Sequence, residues 1–160
     1  MKDKQIKSWV TTVLCTSFFS SIALGSPVTQ AADSFKLVEC RKSAALEFGV
    51  PLVVFEAMAL HEEKVSPPNN GSKDYGPMNI NELAVPMVTK ILNSSEEKVK
   101  SEPCENYRAA AAFLMSKPDS DIWVKMNKYY YGSLIKNLYP KTEAVKSVYA
   151  DLIGDNSWKN

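Results

Sequence analysis

The chain of 160 residues contains one histidine, His61. A zinc-hydrolase pattern of the His-Glu-x-x-His type needs two on one helix face, and Val65 stands where the second would fall. Metal catalysis of that kind is therefore excluded, and no metal ligands are assigned. There is no glycine-rich phosphate loop and no alternation of strand and helix patterns, so neither a nucleotide-binding sheet nor a cofactor is expected. Nothing repeats internally and nothing is low in complexity. An excess of one charge sign is also missing, with 19 basic against 18 acidic residues. That balance gives no electrostatic footing for nucleic acid as a partner.

Cysteine is scarce too: Cys15, Cys40 and Cys104 are the only three. The first lies in a segment that reads as a secretory signal. Lys2, Lys4 and Lys7 form a positive start, and Trp9 to Leu24 is apolar or small and uncharged. Ala23-Leu24-Gly25 offers a cleavage site before Ser26, and Thr29-Gln30-Ala31 a second one. The run is short and rich in Ser and Thr for a membrane span, so residues 1–25 are expected to be removed rather than retained as an anchor. Leu14 before Cys15 argues against lipoprotein processing. Cleavage at residue 25 takes away three lysines and one aspartate, leaving 16 basic against 17 acidic residues. Roughly 130 residues then remain, enough for one compact domain with one core. An even pair of cysteines in an exported chain reads as a disulfide, here Cys40–Cys104; two buried free thiols are the alternative.

The remaining pattern is helical almost throughout, and the expected class is all-α with at most a small β element. Leu37, Cys40, Ala44, Ala45 and Phe48 recur at helical spacing, Gly49 ends that helix and Pro51 opens the next. From Leu52 to Leu60 nearly every residue is apolar, the mark of a helix buried on most sides, with Glu56 its only charge. Ser66 to Gly76 is rich in Pro, Asn and Gly and reads as a loop, with room for a small hairpin. Further helices are expected over Val85–Leu92, after Ser94-Ser95-Glu96-Glu97, and over Asn106–Met115, Asp119–Tyr131 and Thr142–Ile153.

The most informative stretch is Ala57–Asn81, AMALHEEKVSPPNNGSKDYGPMNIN. A buried helix ends in an acidic pair, a polar loop follows, and a second polar segment comes after it. Acid catalysis at a glycosidic bond needs a carboxyl group that keeps its proton, which burial favours. Glu62 occupies such a place, in the last turn of an apolar helix, where the negative helix end also disfavours a carboxylate. Glu63 points about 100° away, so only one of the pair can face a groove, and Glu63 is expected to be a solvated surface residue.

This stretch resembles the core of the soluble lytic transglycosylase domain, family 1. It is most similar to the small exported members that accompany secretion systems and conjugative pili. Their pattern is an apolar helix ending in Glu-Ser-Gly, a Pro/Asn loop, then Gly-Leu-Met-Gln-Ile-Asn. Glu62-Glu63-Lys64 and Gly76-Pro77-Met78-Asn79-Ile80-Asn81 stand in those places. The resemblance puts the catalytic role on Glu62 and a groove wall on Gly76, Met78, Asn79, Ile80 and Asn81. Pro103-Cys104-Glu105-Asn106 resembles the family's Pro-Cys-x-Asn segment, whose cysteine pairs with one near the mature N-terminus, here Cys40. Tyr129-Tyr130-Tyr131-Gly132-Ser133 resembles its Tyr-Asn-x-Gly element, which implies a site-lining role for Tyr129, with Tyr130 second; simple core packing is the alternative. The resemblance spans residues 37–135 or so. Departures from it matter: Glu63 replaces Ser, Lys64 replaces Gly, and Asn79 replaces Gln, keeping the amide but losing a methylene.

The loop is also similar to animal-type lysozymes, in which Thr-Asp-Tyr-Gly precedes Leu-Gln-Ile-Asn. That similarity makes Asp74 a candidate second carboxylate, against an alternative as a turn residue bonding its own loop. The resemblance implies a lysozyme-like domain over residues 33–160, with 142–160 as a helical extension that packs on the domain or docks a partner. It implies cleavage of the β-1,4 bond between N-acetylmuramic acid and N-acetylglucosamine, with peptidoglycan strands as partner and a periplasmic or secreted location. A component of a secretion system or pilus would be a second partner. Muramidase-type hydrolysis, or wall binding without turnover, are the alternative outcomes.

Overall fold

The computed structural model describes residues 27–65, 73–132 and 139–154, with side chains from residue 35 onward. The expected signal segment 1–25, most of the Pro/Asn loop (66–72), Ser133 and the last six residues lie outside the described residues. What is described is mainly helical. Seven helices run in chain order: α1 Pro27–Phe48, α2 Leu52–Lys64, α3 Val85–Leu92, α4 Glu96–Ser101, α5 Pro103–Met115, α6 Ile122–Tyr131 and α7 Pro140–Ile153. Between α2 and α3 lies an antiparallel hairpin of β1 Asp74–Tyr75 and β2 Ile80–Asn81, with Asp74 opposite Asn81 and Tyr75 opposite Ile80. None of the described helices is long and apolar enough to cross a membrane.

Local chemistry sets most boundaries. α1 stops at Gly49, whose φ of +69° lies in the left-handed region that glycine enters without steric cost. The Val50 N–H then donates back to the Ala45 carbonyl at 2.9 Å, and Pro51 directs the chain into α2. Pro86 sits in the first turn of α3, and Asn93, at φ +52°, closes it. The cap of α4 is Ser95, which accepts from Lys98 N; the Ser-x-x-Glu spacing had pointed to Ser94. α5 begins at Pro103, a residue whose fixed φ suits a first helical position, and so starts three residues before the expected Asn106. Asp121 caps α6 by accepting from Trp123 N and Val124 N, so that helix starts later than Asp119.

α5 is the centre of the molecule. Ala109, Ala110 and Ala111 are fully buried, and Tyr107 and Leu114 with them. Small side chains let neighbouring helices approach closely, and α1, α3, α4 and α6 all pack on α5. α2 lies between α1 and α7, burying Val54, Phe55, Ala57, Met58 and Ala59. Full burial of Phe55 and Met58 contributes roughly 1.5–3 kcal/mol each in removed apolar surface. Cys40 of α1 and Cys104 of α5 form a disulfide across 64 residues, with Cα atoms 5.0 Å apart. The C-terminal segment from Thr142 is part of the body: α7 packs on α2 and α6 and buries Thr142, Val145 and Ala150.

Candidate functional site

Glu62 lies in the last turn of α2 with its side chain 0 % exposed. A carboxylate so enclosed must find partners, because leaving a buried charge unpaired costs several kcal/mol or more. Two groups reach it. Asn79 Nδ2 donates to Glu62 Oε2 at 3.0 Å and to the Glu62 carbonyl at 2.9 Å. Lys141 Nζ, from the first turn of α7, lies 3.0 Å from Oε1 and 3.2 Å from Oε2, with hydrogen-bond alignment met only at Oε2. The same ammonium stands 4.6 Å from the centre of the Tyr130 ring.

Asn79 reaches Glu62 because of how the hairpin is built. Four residues, Gly76 to Asn79, turn the chain between β1 and β2, and Asn79 N donates to the Gly76 carbonyl at 3.1 Å. Asn79 itself holds φ +46°, a conformation that asparagine tolerates better than most residues. The turn is pinned from below by Asn106 of α5. Its Oδ1 accepts from Met78 N at 2.9 Å, and its Nδ2 donates to the carbonyls of Tyr75 and Val99 at 2.9 Å each. Gly76 meets this amide directly: a Cβ at that position would lie 2.4 Å from Asn106 Cγ. The position needs glycine for both its φ of +67° and the space.

The tyrosines of α6 form the other side. Tyr129 packs edge-on against Phe113 and Tyr130, with centroids 5.3 and 5.1 Å apart. Burial pushes the Tyr129 phenol well up, and the charges of Glu62 and Asp74 act in the same direction. Tyr129 is thus within electrostatic reach of both Glu62 and Asp74. The Tyr130 hydroxyl is buried beside Glu62; burial, then the Glu62 charge, pushes it up as well. Burial lowers the His61 imidazole, which the charge of Glu62 opposes and those of Lys141 and Lys64 reinforce. Asp74 Oδ1 accepts from Asn81 Nδ2 at 2.9 Å, a partner on the facing strand of the hairpin.

Several expected roles change. Met78 and Ile80 were expected on the groove wall, but their side chains are 1 % and 2 % exposed and belong to the core. Strand alternation turns Ile80 inward, and Met78, whose N–H is held by Asn106, is buried as well. Glu63 was expected to be solvated. Its side chain is 37 % exposed, yet Oε1 accepts from Arg41 Nη1 at 2.6 Å and from the Tyr107 hydroxyl at 3.2 Å. Arg41, nearly buried, also pairs with Glu56 at 2.9 Å. Adjacent helical residues do diverge as expected; what lies opposite Glu63 is a cation delivered by α1. Burial pushes the Tyr107 phenol up to about 12, an effect to which the Glu63 charge adds.

Lys141 and Arg41 had no signal in the sequence, since each is an ordinary charged residue far along the chain from its partner. Asn106 carried a faint one: a polar side chain opening an alanine-rich helix, where asparagine is a poor helix former. No protein-family model and no curated protein matches the chain.

Proposed function

We propose that the chain is a peptidoglycan-cleaving enzyme of the lytic transglycosylase type, with Glu62 as its acid and base. The observation that carries this reading is an enclosed carboxylate at the end of an apolar helix, held by the amide of a hairpin turn and flanked by tyrosines. In its protonated form Glu62 donates to the glycosidic oxygen as the bond from C1 of N-acetylmuramic acid breaks. The resulting carboxylate then takes the proton of the same sugar's 6-hydroxyl, which attacks C1 and closes the 1,6-anhydro ring. One carboxyl group serves both steps and is restored at the end. Asn79 orients it, and Tyr129 and Tyr130 exclude water beside it, which favours the internal hydroxyl over hydrolysis.

Asp74 supports a second reading. It is bonded to Asn81 and acts electrostatically on Tyr129 as Glu62 does, which supports a role in stabilising positive charge on the sugar ring while water attacks. Mass spectrometry of peptidoglycan digested by the protein separates the two: anhydro ends support ring closure, reducing ends support hydrolysis. Release of no soluble fragments leaves a wall-binding protein as the reading. An exported location and a role in opening the wall for a secretion system or pilus belong to the same proposal, resting on the likeness of residues 37–135 and the signal-like N-terminus.

A further inference from the structure

Asn79 and Lys141 both stand against the Glu62 carboxyl group. Asn79 holds Oε2, and Lys141 lies against Oε1 and Oε2. A general acid must come within about 2.6–3.2 Å of the oxygen it protonates, so a glycan cannot use this carboxyl group while the ammonium is there. Lys141 lies on the solvent side of the pair, at 32 % exposure against 0 % for Glu62.

We propose that Lys141 is a displaceable latch on the acid: it closes the Glu62 site in the free protein, and a bound glycan strand turns it aside. This inference rests on the reading of Glu62 as the acid. The construction around Lys141 fits a movable side chain on a fixed backbone. Tyr139 N and Thr142 Oγ1 both donate to Asn127 Oδ1, at 3.0 and 3.1 Å, and Lys141 N donates to the Tyr131 hydroxyl at 3.2 Å. The start of α7 is therefore tied to α6, while four single bonds in the lysine side chain remain free to rotate. Tyr130 offers a second resting place, because its ring face attracts a cation and already lies beneath the ammonium. Among the described residues, the other titratable groups seen to interact with Glu62 are His61 on α2 and Tyr129 and Tyr130 on α6. Among the described residues Lys141 alone is ion-paired with Glu62.

The test measures binding of a purified muramyl tetrasaccharide by calorimetry, and acetylation of Lys141 by mass spectrometry. Lys141→Met should bind the tetrasaccharide about tenfold more tightly, a change of about 1.4 kcal/mol. Lys141→Arg, which keeps the charge, should bind as the unsubstituted protein does. In the unsubstituted protein Lys141 should acetylate more slowly than in Glu62→Gln, and faster once the tetrasaccharide is added. Equal or weaker binding by a folded Lys141→Met overturns the latch. So does a Lys141 whose acetylation rate is unchanged by Glu62→Gln or by the tetrasaccharide, a readout that needs no Lys141 variant to fold. Failure of the enzymatic reading looks different: Glu62→Gln would cleave peptidoglycan as well as the unsubstituted protein, whatever the binding data show.

Discussion

Replacing Asn106 with alanine tests whether one buried amide holds the hairpin to α5. The substitution strands three groups: the Met78 N–H and the carbonyls of Tyr75 and Val99, each now bonded at 2.9 Å. Leaving a buried donor or acceptor unpaired costs about 1–3 kcal/mol, so three of them cost about 3–9 kcal/mol if water does not enter, toward the lower end because the bond to the Tyr75 carbonyl is only part-buried. That is a large share of the roughly 5–15 kcal/mol by which a domain is stable. Urea unfolding followed by far-ultraviolet circular dichroism reads the loss. Gly76→Ala sharpens the test. Alone it combines about 1–2 kcal/mol of left-handed strain with a collision against Asn106, whose three hydrogen bonds stop the amide from swinging away. In the Asn106→Ala background the collision is gone and only the strain remains. The double-mutant cycle should therefore show a coupling of about 1–3 kcal/mol, with the two losses adding to more than the double variant shows. Strict additivity, or a loss below about 1 kcal/mol for Asn106→Ala, would refute the reasoning.

The buried phenols make stability fall in alkali. Tyr107 is raised to about 12, and Tyr129 and Tyr130 are raised as well, mainly by burial. A folded value above the unfolded one of about 10 contributes stability that is complete below pH about 10 and is lost as pH rises through the folded value. For Tyr107 the shift corresponds to on the order of 2–3 kcal/mol. Phenolate absorbance should therefore show these three of the seven tyrosines ionising late, together with loss of helical signal; seven independent titrations near pH 10 with the helices intact would contradict it. The disulfide gives the next expectation. Closing a loop of 64 residues stabilises by about 4 kcal/mol on the chain-entropy model, so Cys40→Ala with Cys104→Ala should shift urea unfolding by that order. A change below about 1 kcal/mol would show that the loop is already restrained in the unfolded chain.

The helices were legible because their signals are local. Val85–Leu92 has the bounds expected for it with Pro86 in its first turn, and the structure adds Asn93 as the residue that closes it. The start of α6 was misplaced because Asp119 and Asp121 look alike as caps; Asp119 instead accepts from Asp121 N in the preceding turn, and Asp121 does the capping. The hairpin after the Pro/Asn loop was expected only as a small β element, and its register depends on Asn106, 28 residues beyond Met78. Side chains that meet through the fold were the hardest to read. Glu63 and Arg41 are 22 positions apart, Glu62 and Lys141 are 79 apart, and no periodicity reports which cation arrives opposite which carboxylate. Those pairings decide whether Glu63 is solvated and whether Glu62 is open, so the chemistry of the acidic pair had to wait for the packing of α1 and α7.

The central claim is that Glu62 is the acid, and the most direct measurement is release of soluble muropeptides from purified peptidoglycan by the protein and by Glu62→Gln. The glutamine keeps the size of the side chain and accepts the Asn79 contact, but it cannot donate and recover a proton. The account predicts fragments with anhydro ends from the unsubstituted protein and a loss of at least about a hundredfold in Glu62→Gln, with unchanged circular dichroism. Fragment release by Glu62→Gln at the unsubstituted rate would contradict it.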